Sequence, residues 1–388
     1  MTDMTDRFAL TGARIFDGTR WHDDAALVVS GGKIEALVDT DVPLELRRVA
    51  LPGGILVPGF IDLQVNGGGG ALFNERRTVE AIRTICTAFQ QFGTTACLPT
   101  LITDTPEVSD EAVEAGLAAM WAGVPGFLGL HLEGPHLAVL RKGAHDAALI
   151  RPFSDNDLQR LVHAREGLPV VIATVAAETV PPAEIAAMVE RGITVSIGHS
   201  DASFAQVAAA AKAGASMVTH LFNAQSQMGN REPGVVGAAL DIGKLNAGLI
   251  ADGIHVHPAA IANALRGKRG PGHIFIVTDA MSVTGTDAES FELTGRTVYR
   301  RDGALRLADG TLAGADLTMI GAIRYLVQTV GLALDEALRM AALYPAQAVG
   351  IADRYGHLTR GARADMVLLS DDLTVQQTWI AGETVFQG

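Results

Sequence analysis

Four polar residues with side chains suited to metal and acid–base chemistry each stand at the end of an apolar run. Glu133 ends His131-Leu132-Glu133 ahead of Gly134-Pro135, and His199 follows Ser196-Ile197-Gly198. His220 stands in Val218-Thr219-His220-Leu221-Phe222-Asn223, and Asp279 in Ile276-Val277-Thr278-Asp279-Ala280. Two imidazoles and one carboxylate form a donor set for Zn2+ that leaves a fourth position for water. Water on such an ion has its pKa lowered towards about 7, and an aspartate beside it can accept a proton and pass it to a leaving group. Taken singly, each residue has a plainer use. A lone His is commonly structural, an Asp after a strand often caps a helix, and a Glu before Gly-Pro can be a solvated turn residue. Four such groups on four candidate strand ends point instead to one shared site.

Gln64 and Asn66 lie two residues apart in Pro58-Gly59-Phe60-Ile61-Asp62-Leu63-Gln64-Val65-Asn66-Gly67 and so face one side of a strand. A His-x-His pair there would favour a second metal. Neutral amides are weak ligands for a transition ion. The expectation is therefore one divalent metal per chain, with Gln64 and Asn66 as hydrogen-bonding groups beside it. Zn2+ is the first choice, and Fe2+, Co2+ or Mn2+ also suit an N/O site. Asp62 is read as structural.

The elements that must carry these groups alternate. Strand-like apolar runs occur near Gly59–Val65, Thr94–Leu101, Phe127–His131, Pro169–Val175, Thr194–Gly198, Met217–His220, Leu245–Ile250 and Ile274–Thr278. Amphipathic stretches such as Thr78–Phe92, Asp110–Trp121, Pro182–Arg191 and Phe204–Ala213 lie between them, and Met319–Val330 and Leu334–Ala342 follow the last strand. Eight βα units with doubly buried parallel strands predict an α/β fold, a (β/α)8 barrel of TIM type. Such a barrel keeps its active site at the C-terminal ends of its strands, where the four groups fall.

Both ends of the chain read instead as short strands with turns. Phe8–Phe16, Ala25–Val29, Ile34–Val38 and Leu51–Val57 are β-like, as are Ala364–Leu369, Thr378–Ile380 and Thr384–Phe386. The expected organisation is a small β-sandwich domain built from residues 1–57 and 357–388, around a barrel of residues 58–356.

Composition narrows the function classes. Of 388 residues, 48% are hydrophobic and 19% charged, the balance of a chain with a large interior. A net charge of −13 with no basic run argues against nucleic acid as a partner, while a locally positive pocket still permits an anionic small molecule. No apolar stretch reaches membrane-spanning length, and MTDMTDRFAL has no signal-peptide core, so a cytoplasmic location without membrane association is expected. Cys86 and Cys97 are read as buried free thiols.

These motifs, together with Ala251-Asp252-Gly253-Ile254-His255 and Leu312-Ala313-Gly314, resemble the amidohydrolase superfamily and, within it, the deacetylases of N-acetylglucosamine 6-phosphate. The resemblance runs over nearly the whole chain. It implies that Glu133, His199 and His220 are the metal ligands and Asp279 the catalytic acid/base. It implies that His145 helps polarise the acetyl carbonyl, and that Asn223 and Ala224 hold the substrate. Arg231 and His255 would surround the sugar phosphate, with at least one supplied across the interface of a homodimer whose active site spans both subunits. The implied reaction is hydrolysis of the acetamide of N-acetylglucosamine 6-phosphate in amino-sugar breakdown. A cyclic amidase or deaminase of the same superfamily would leave Arg231 and His255 unexplained. A non-catalytic sugar-phosphate binding protein would have no use for Asp279. Three positions depart from the family's common pattern, His136, Gln225 and Ala315, and none is a metal ligand.

Overall fold

A computed structural model describes residues 7–39 and 46–388. Residues 1–6 and 40–45, which belong to the N-terminal part of the expected sandwich and include the start of MTDMTDRFAL, lie outside the described residues.

Eight parallel strands form the barrel: β1 (Phe60–Val65), β2 (Thr94–Ile102), β3 (Gly129–Glu133), β4 (Val170–Val175), β5 (Thr194–Ile197), β6 (Met217–Val218), β7 (Asn246–Leu249) and β8 (Ile274–Ile276). Each pairs with the next in sequence order from β1 to β8. β1 to β4 are buried along their whole length, because one face fills the barrel and the other lies under helices, so their sequences are runs rather than alternations. Register fixes the heights of the functional groups. Glu133 lies opposite Ile102 and Thr174, and Ile197, two residues before His199, lies opposite Val218, two residues before His220.

The helices around the barrel are α1 (Val79–Gln90), α2 (Pro106–Trp121), α3 (Asp155–Gly167), α4 (Pro182–Glu190), α5 (Phe204–Lys212), α6 (Gly234–Asp241) and α7 (Pro258–Gly267). Their starts follow local chemistry. The Thr78 hydroxyl accepts from the Ala81 N–H, and Thr105 caps α2 just ahead of Pro106. Ser203 and Gln206 form a reciprocal capping box on α5. His257 caps α7 by accepting from the Ala259 N–H.

The segments of β8 and β1 close the ring through backbone bonds and a buried side chain. The buried Asp62 carboxylate accepts from the Thr278 N–H at 3.2 Å and from the Thr278 hydroxyl, and the Asp279 N–H donates to the Gln64 carbonyl at 3.0 Å. Burial pushes the Asp62 carboxyl up to about 7, against its three hydrogen bonds. Asp62 thus fastens the strand that bears Asp279 to the strand that bears Gln64 and Asn66.

The two chain ends share a sandwich. One sheet orders Lys33–Asp39, Ala25–Ser30, Arg7–Thr11 and Arg47–Ala50; the other orders Glu383–Gln387, Val375–Ile380, Met366–Leu369, Ile55–Pro58, Arg14–Phe16 and Trp21–His22. Leu10, Ile15, Leu27, Leu56, Leu368 and Trp379 pack between them. One expected strand is divided and another begins late. Gly12 breaks Phe8–Phe16 with a φ of +90°, and Leu51–Val57 is a strand only from Ile55, after Pro52, which lacks an N–H, and the left-handed Gly53 and Gly54.

One feature has no counterpart in the sequence reading. Between β8 and the helix starting at Met319, an antiparallel sheet of Ser290–Leu293, Arg296–Arg301, Ala304–Arg306 and Leu312–Ala315 rises over the barrel mouth. Its inner face packs Leu293, Val298 and Leu305 on Ile102, Met281 and Val283. Arg300 ties its base to Asp316 with two contacts of 2.7 and 2.8 Å, and Arg296 donates to the Ala144 carbonyl. The helix expected to run from Met319 to Val330 keeps its regular form only to Tyr325, then widens before Gly331 ends it.

Candidate active site and metal centre

The mouth of the barrel holds a cavity of about 500 Å³. At its floor three ligand-type atoms converge. Glu133 Oε1 lies 2.9 Å from His220 Nε2 and 3.2 Å from His199 Nε2, and the two nitrogens are 3.1 Å apart. All three side chains are buried.

Hydrogen-bond direction decides what this triangle can hold. A carbonyl only accepts, so the 2.8 Å contact between His199 Nδ1 and the Arg141 carbonyl places the His199 proton on Nδ1. Its Nε2 is then a bare lone pair facing a carboxylate oxygen. His220 can give one proton to Glu133, while the lone pairs of His199 and Glu133 that face each other suit a cation between them. His220 Nδ1 is buried with no hydrogen-bond partner among the described residues. The donor set and its spacing therefore fit a divalent ion. Burial alone would raise the Glu133 carboxyl, but the His199 and His220 imidazoles beside it hold it well below the usual range.

Glu133, His145 and His199 also bring ligand-type atoms within 4.8 Å of one another, so this cluster too could hold an ion. The environment of His145 limits that role. The Thr103 N–H donates to His145 Nδ1 at 3.3 Å, which leaves the ring proton on Nε2. Burial keeps this imidazole neutral, with its pKa well below the ordinary value. His145 thus presents an N–H donor to the cavity it lines.

Asp279 lines the same cavity beside the triangle. Asn66 Nδ2 donates to its Oδ1 at 2.6 Å, and Gln64 Nε2 reaches Asp279 Oδ1 at 3.3 Å and Glu133 Oε1 at 3.1 Å. Burial, reinforced by the negative charge of Glu133, pushes the Asp279 carboxyl up to about 6, and His220, His255 and Asn66 oppose that rise. Gln64 is not among the residues lining the cavity. It is buried beneath it and spans the two carboxylates.

The remaining candidates divide. Asn223, Ala224 and His255 line the cavity. His255 Nδ1 is held by Asp252 Oδ2 at 2.6 Å. Arg231 is exposed on the loop after Asn223 and lines no part of the cavity of a single chain. Gly134, directly after Glu133, has φ +88°, and a Cβ there would meet the Thr103 hydroxyl at 2.3 Å, so the Glu-Gly-Pro turn admits no larger residue.

Several participants carry little or no signal in the sequence. Thr103 orients His145 from the end of β2, and the Arg141 backbone orients His199, a role in which residue type leaves no signal. Arg306 lines the cavity from the antiparallel sheet. The available signs of that sheet were the turn dipeptides Asp302-Gly303 and Asp309-Gly310.

Comparison with known proteins bears on the whole chain. The amidohydrolase family profile matches residues 55–385, and the NagA composite domain profile matches residues 7–56. The chain is 40% identical over 379 residues to the N-acetylgalactosamine-6-phosphate deacetylase of Shewanella sp. (strain ANA-3), covering 97% of this chain and 95% of the relative. It is 34% identical over 383 residues to the N-acetylglucosamine-6-phosphate deacetylase of Haemophilus influenzae, covering 97% and 99%. The crystal structure of N-acetylglucosamine-6-phosphate deacetylase from Pasteurella multocida superposes with a TM-score of 0.94 at 38% identity, covering 98% of this chain and all of that one.

Proposed function

The chain belongs to the amidohydrolase family, and from that premise we propose that it hydrolyses the acetamide of N-acetylglucosamine 6-phosphate, releasing acetate and glucosamine 6-phosphate. The observation that carries this reading is the convergence of Glu133, His199 and His220 within 3.2 Å of one another beside Asp279, in a chain similar to such deacetylases along its length.

Glu133, His199 and His220 would hold one divalent ion, and Zn2+ matches two imidazoles and a carboxylate best. Such an ion supplies Lewis acidity, making water acidic near neutral pH and steadying negative charge on oxygen. Asp279 accepts the proton of the attacking water. Both neighbouring amides bind its Oδ1, so Oδ2 carries the proton. A carboxyl held at about 6 takes up a proton and returns it near neutrality. His145 donates its Nε2–H to the acetyl oxygen as charge gathers there. Asp279 then returns the proton to the amide nitrogen, the C–N bond breaks, and acetate departs. Asn223 and Ala224 hold the sugar, while His255, oriented by Asp252, faces its phosphate. Arg231 is exposed and away from its own chain's cavity, and would serve the partner's site in a homodimer.

The test is acetate release from a panel of N-acetyl amino sugars with and without a 6-phosphate. Release from the phosphorylated glucosamine derivative is expected, and none from any phosphorylated sugar would reject the reading. A second substrate is favoured by a specific observation: the Shewanella relative, at 40% identity, is a galactosamine enzyme. The panel therefore includes both epimers.

A further inference from the structure

The antiparallel sheet over the barrel mouth is bound to the site's own loops. Arg296 holds the carbonyl of Ala144, next to His145, and Ile254, next to His255, lies 3.7 Å from where a Cβ on Gly303 would stand. The strand Ala304–Arg306 is central in that sheet, paired on one side with Arg296–Arg301 and on the other with Leu312–Ala315. Arg306 therefore projects from a backbone fixed on both sides, and it lines the cavity shared by Asp279 and His255.

Its bonding is incomplete. Arg306 Nη1 donates to the Gly310 carbonyl at 3.0 Å, and among the described residues no carboxylate lies within ion-pair distance. The cavity's other arginine, Arg141, is committed to Asp201 at 2.7 Å. A guanidinium has five N–H donors in a planar fork that matches phosphate oxygens. Arg306 is thus the cavity arginine left with a full charge and free donors, in a chain whose net charge is −13.

We propose that Arg306 binds the substrate's 6-phosphate from within the same chain, in addition to any contact a partner supplies. The proposal rests on the amino-sugar phosphate reading above. It adds a phosphate contact carried by the sheet, so each subunit holds part of its own anion site before it dimerises.

Two measurements on the full-length metal-loaded protein test it, comparing wild type with Arg306→Ala and Arg306→Lys. The first is kcat/KM for the acetylated sugar with and without its 6-phosphate. Arg306→Ala is expected to reduce the preference for the phosphorylated sugar by roughly tenfold to a hundredfold, chiefly through KM, the loss typical of a charge-assisted contact. Arg306→Lys, which keeps the charge but not the fork, should fall between. An unchanged preference, or equal losses on both sugars, overturns the proposal. The second is the rise in Tm on adding inorganic phosphate. Wild type should show a rise that Arg306→Ala loses in large part; equal rises in both overturn the proposal. If wild type releases acetate from neither sugar, the deacetylase reading fails, and the phosphate measurement still decides the role of Arg306.

Discussion

Ten described residues other than glycine have positive φ, and they fall into two regions. Five lie at the barrel mouth: His199, His220, Phe222, Ala224 and Asp279. Of the other five, Thr294, Asp302, Leu373 and Ala381 sit in turns between paired antiparallel strands, and Asp24 sits where the chain crosses from one sandwich sheet to the other. The backbone conformation is the same, and it costs a side-chain-bearing residue about 1–2 kcal/mol. In the turns the twist of the paired strands demands it, and glycine could serve equally well. At the mouth the side chain is what the proposed reaction needs, which accounts for strain retained where His199, His220 and Asp279 turn inward at their strand ends.

Substitutions sharpen this contrast, beginning with the mouth. His220→Ala removes one of the three converging atoms. The bound metal should fall well below one equivalent by elemental analysis, and acetate release should fall roughly a thousandfold or more. Asp279→Asn keeps a side chain that tolerates positive φ and can still meet Asn66 and Gln64. Metal content should stay near wild type while kcat falls about a hundredfold to ten-thousandfold. Arg231→Ala should raise KM for the phosphorylated sugar roughly tenfold with little change in kcat, since it removes a contact remote from the amide. A mouth variant that lost stability but not chemistry would break the contrast.

The sandwich should respond in stability alone. Asp17 caps its turn by accepting from the Thr19 and Arg20 N–H groups at 2.8 and 2.9 Å and from His22 at 2.7 Å. Burial would raise its pKa, but these bonds win and lower it from 3.8 to about 2. A folded-state pKa below the unfolded value stabilises the protein above about pH 4, and the gain is lost as pH falls through about 2. Asp17→Ala should therefore destabilise by about 1–2 kcal/mol at pH 7 in a urea titration, a difference that shrinks between pH 4 and 2. The smallest effect belongs to Ala381, whose φ is +51°. Ala381→Gly relieves that strain at some entropic cost and should raise stability by up to about 1 kcal/mol without changing activity.

The mouth was legible because a barrel imposes a strong pattern. Doubly buried strands give largely apolar runs, and an acid or histidine at the end of such a run marks the strand's end, which is how Glu133, His199, His220 and Asp279 stand out. The antiparallel sheet gives no such run. Its strands are short and partly exposed, as in Arg296–Arg301, where only Val298 is buried, and their register is set by turns. Arg306 was invisible for that reason. The position of Gln64 was hidden differently: a two-residue period places it with Asn66, but only the packing of β1 against β8 puts it beneath both carboxylates instead of in the cavity. Thr103 and the Arg141 carbonyl act by hydrogen bonds across loops, which spacing along the chain does not encode.

The central claim is that one cation joins Glu133, His199 and His220 while Asp279 moves the proton. Metal content and acetate release measured on the same preparation of Asp279→Asn test both halves together. The account predicts about one divalent ion per chain, as in wild type, with turnover reduced by at least about a hundredfold. Turnover at the wild-type rate, or a chain that binds no metal before and after the substitution, would contradict it.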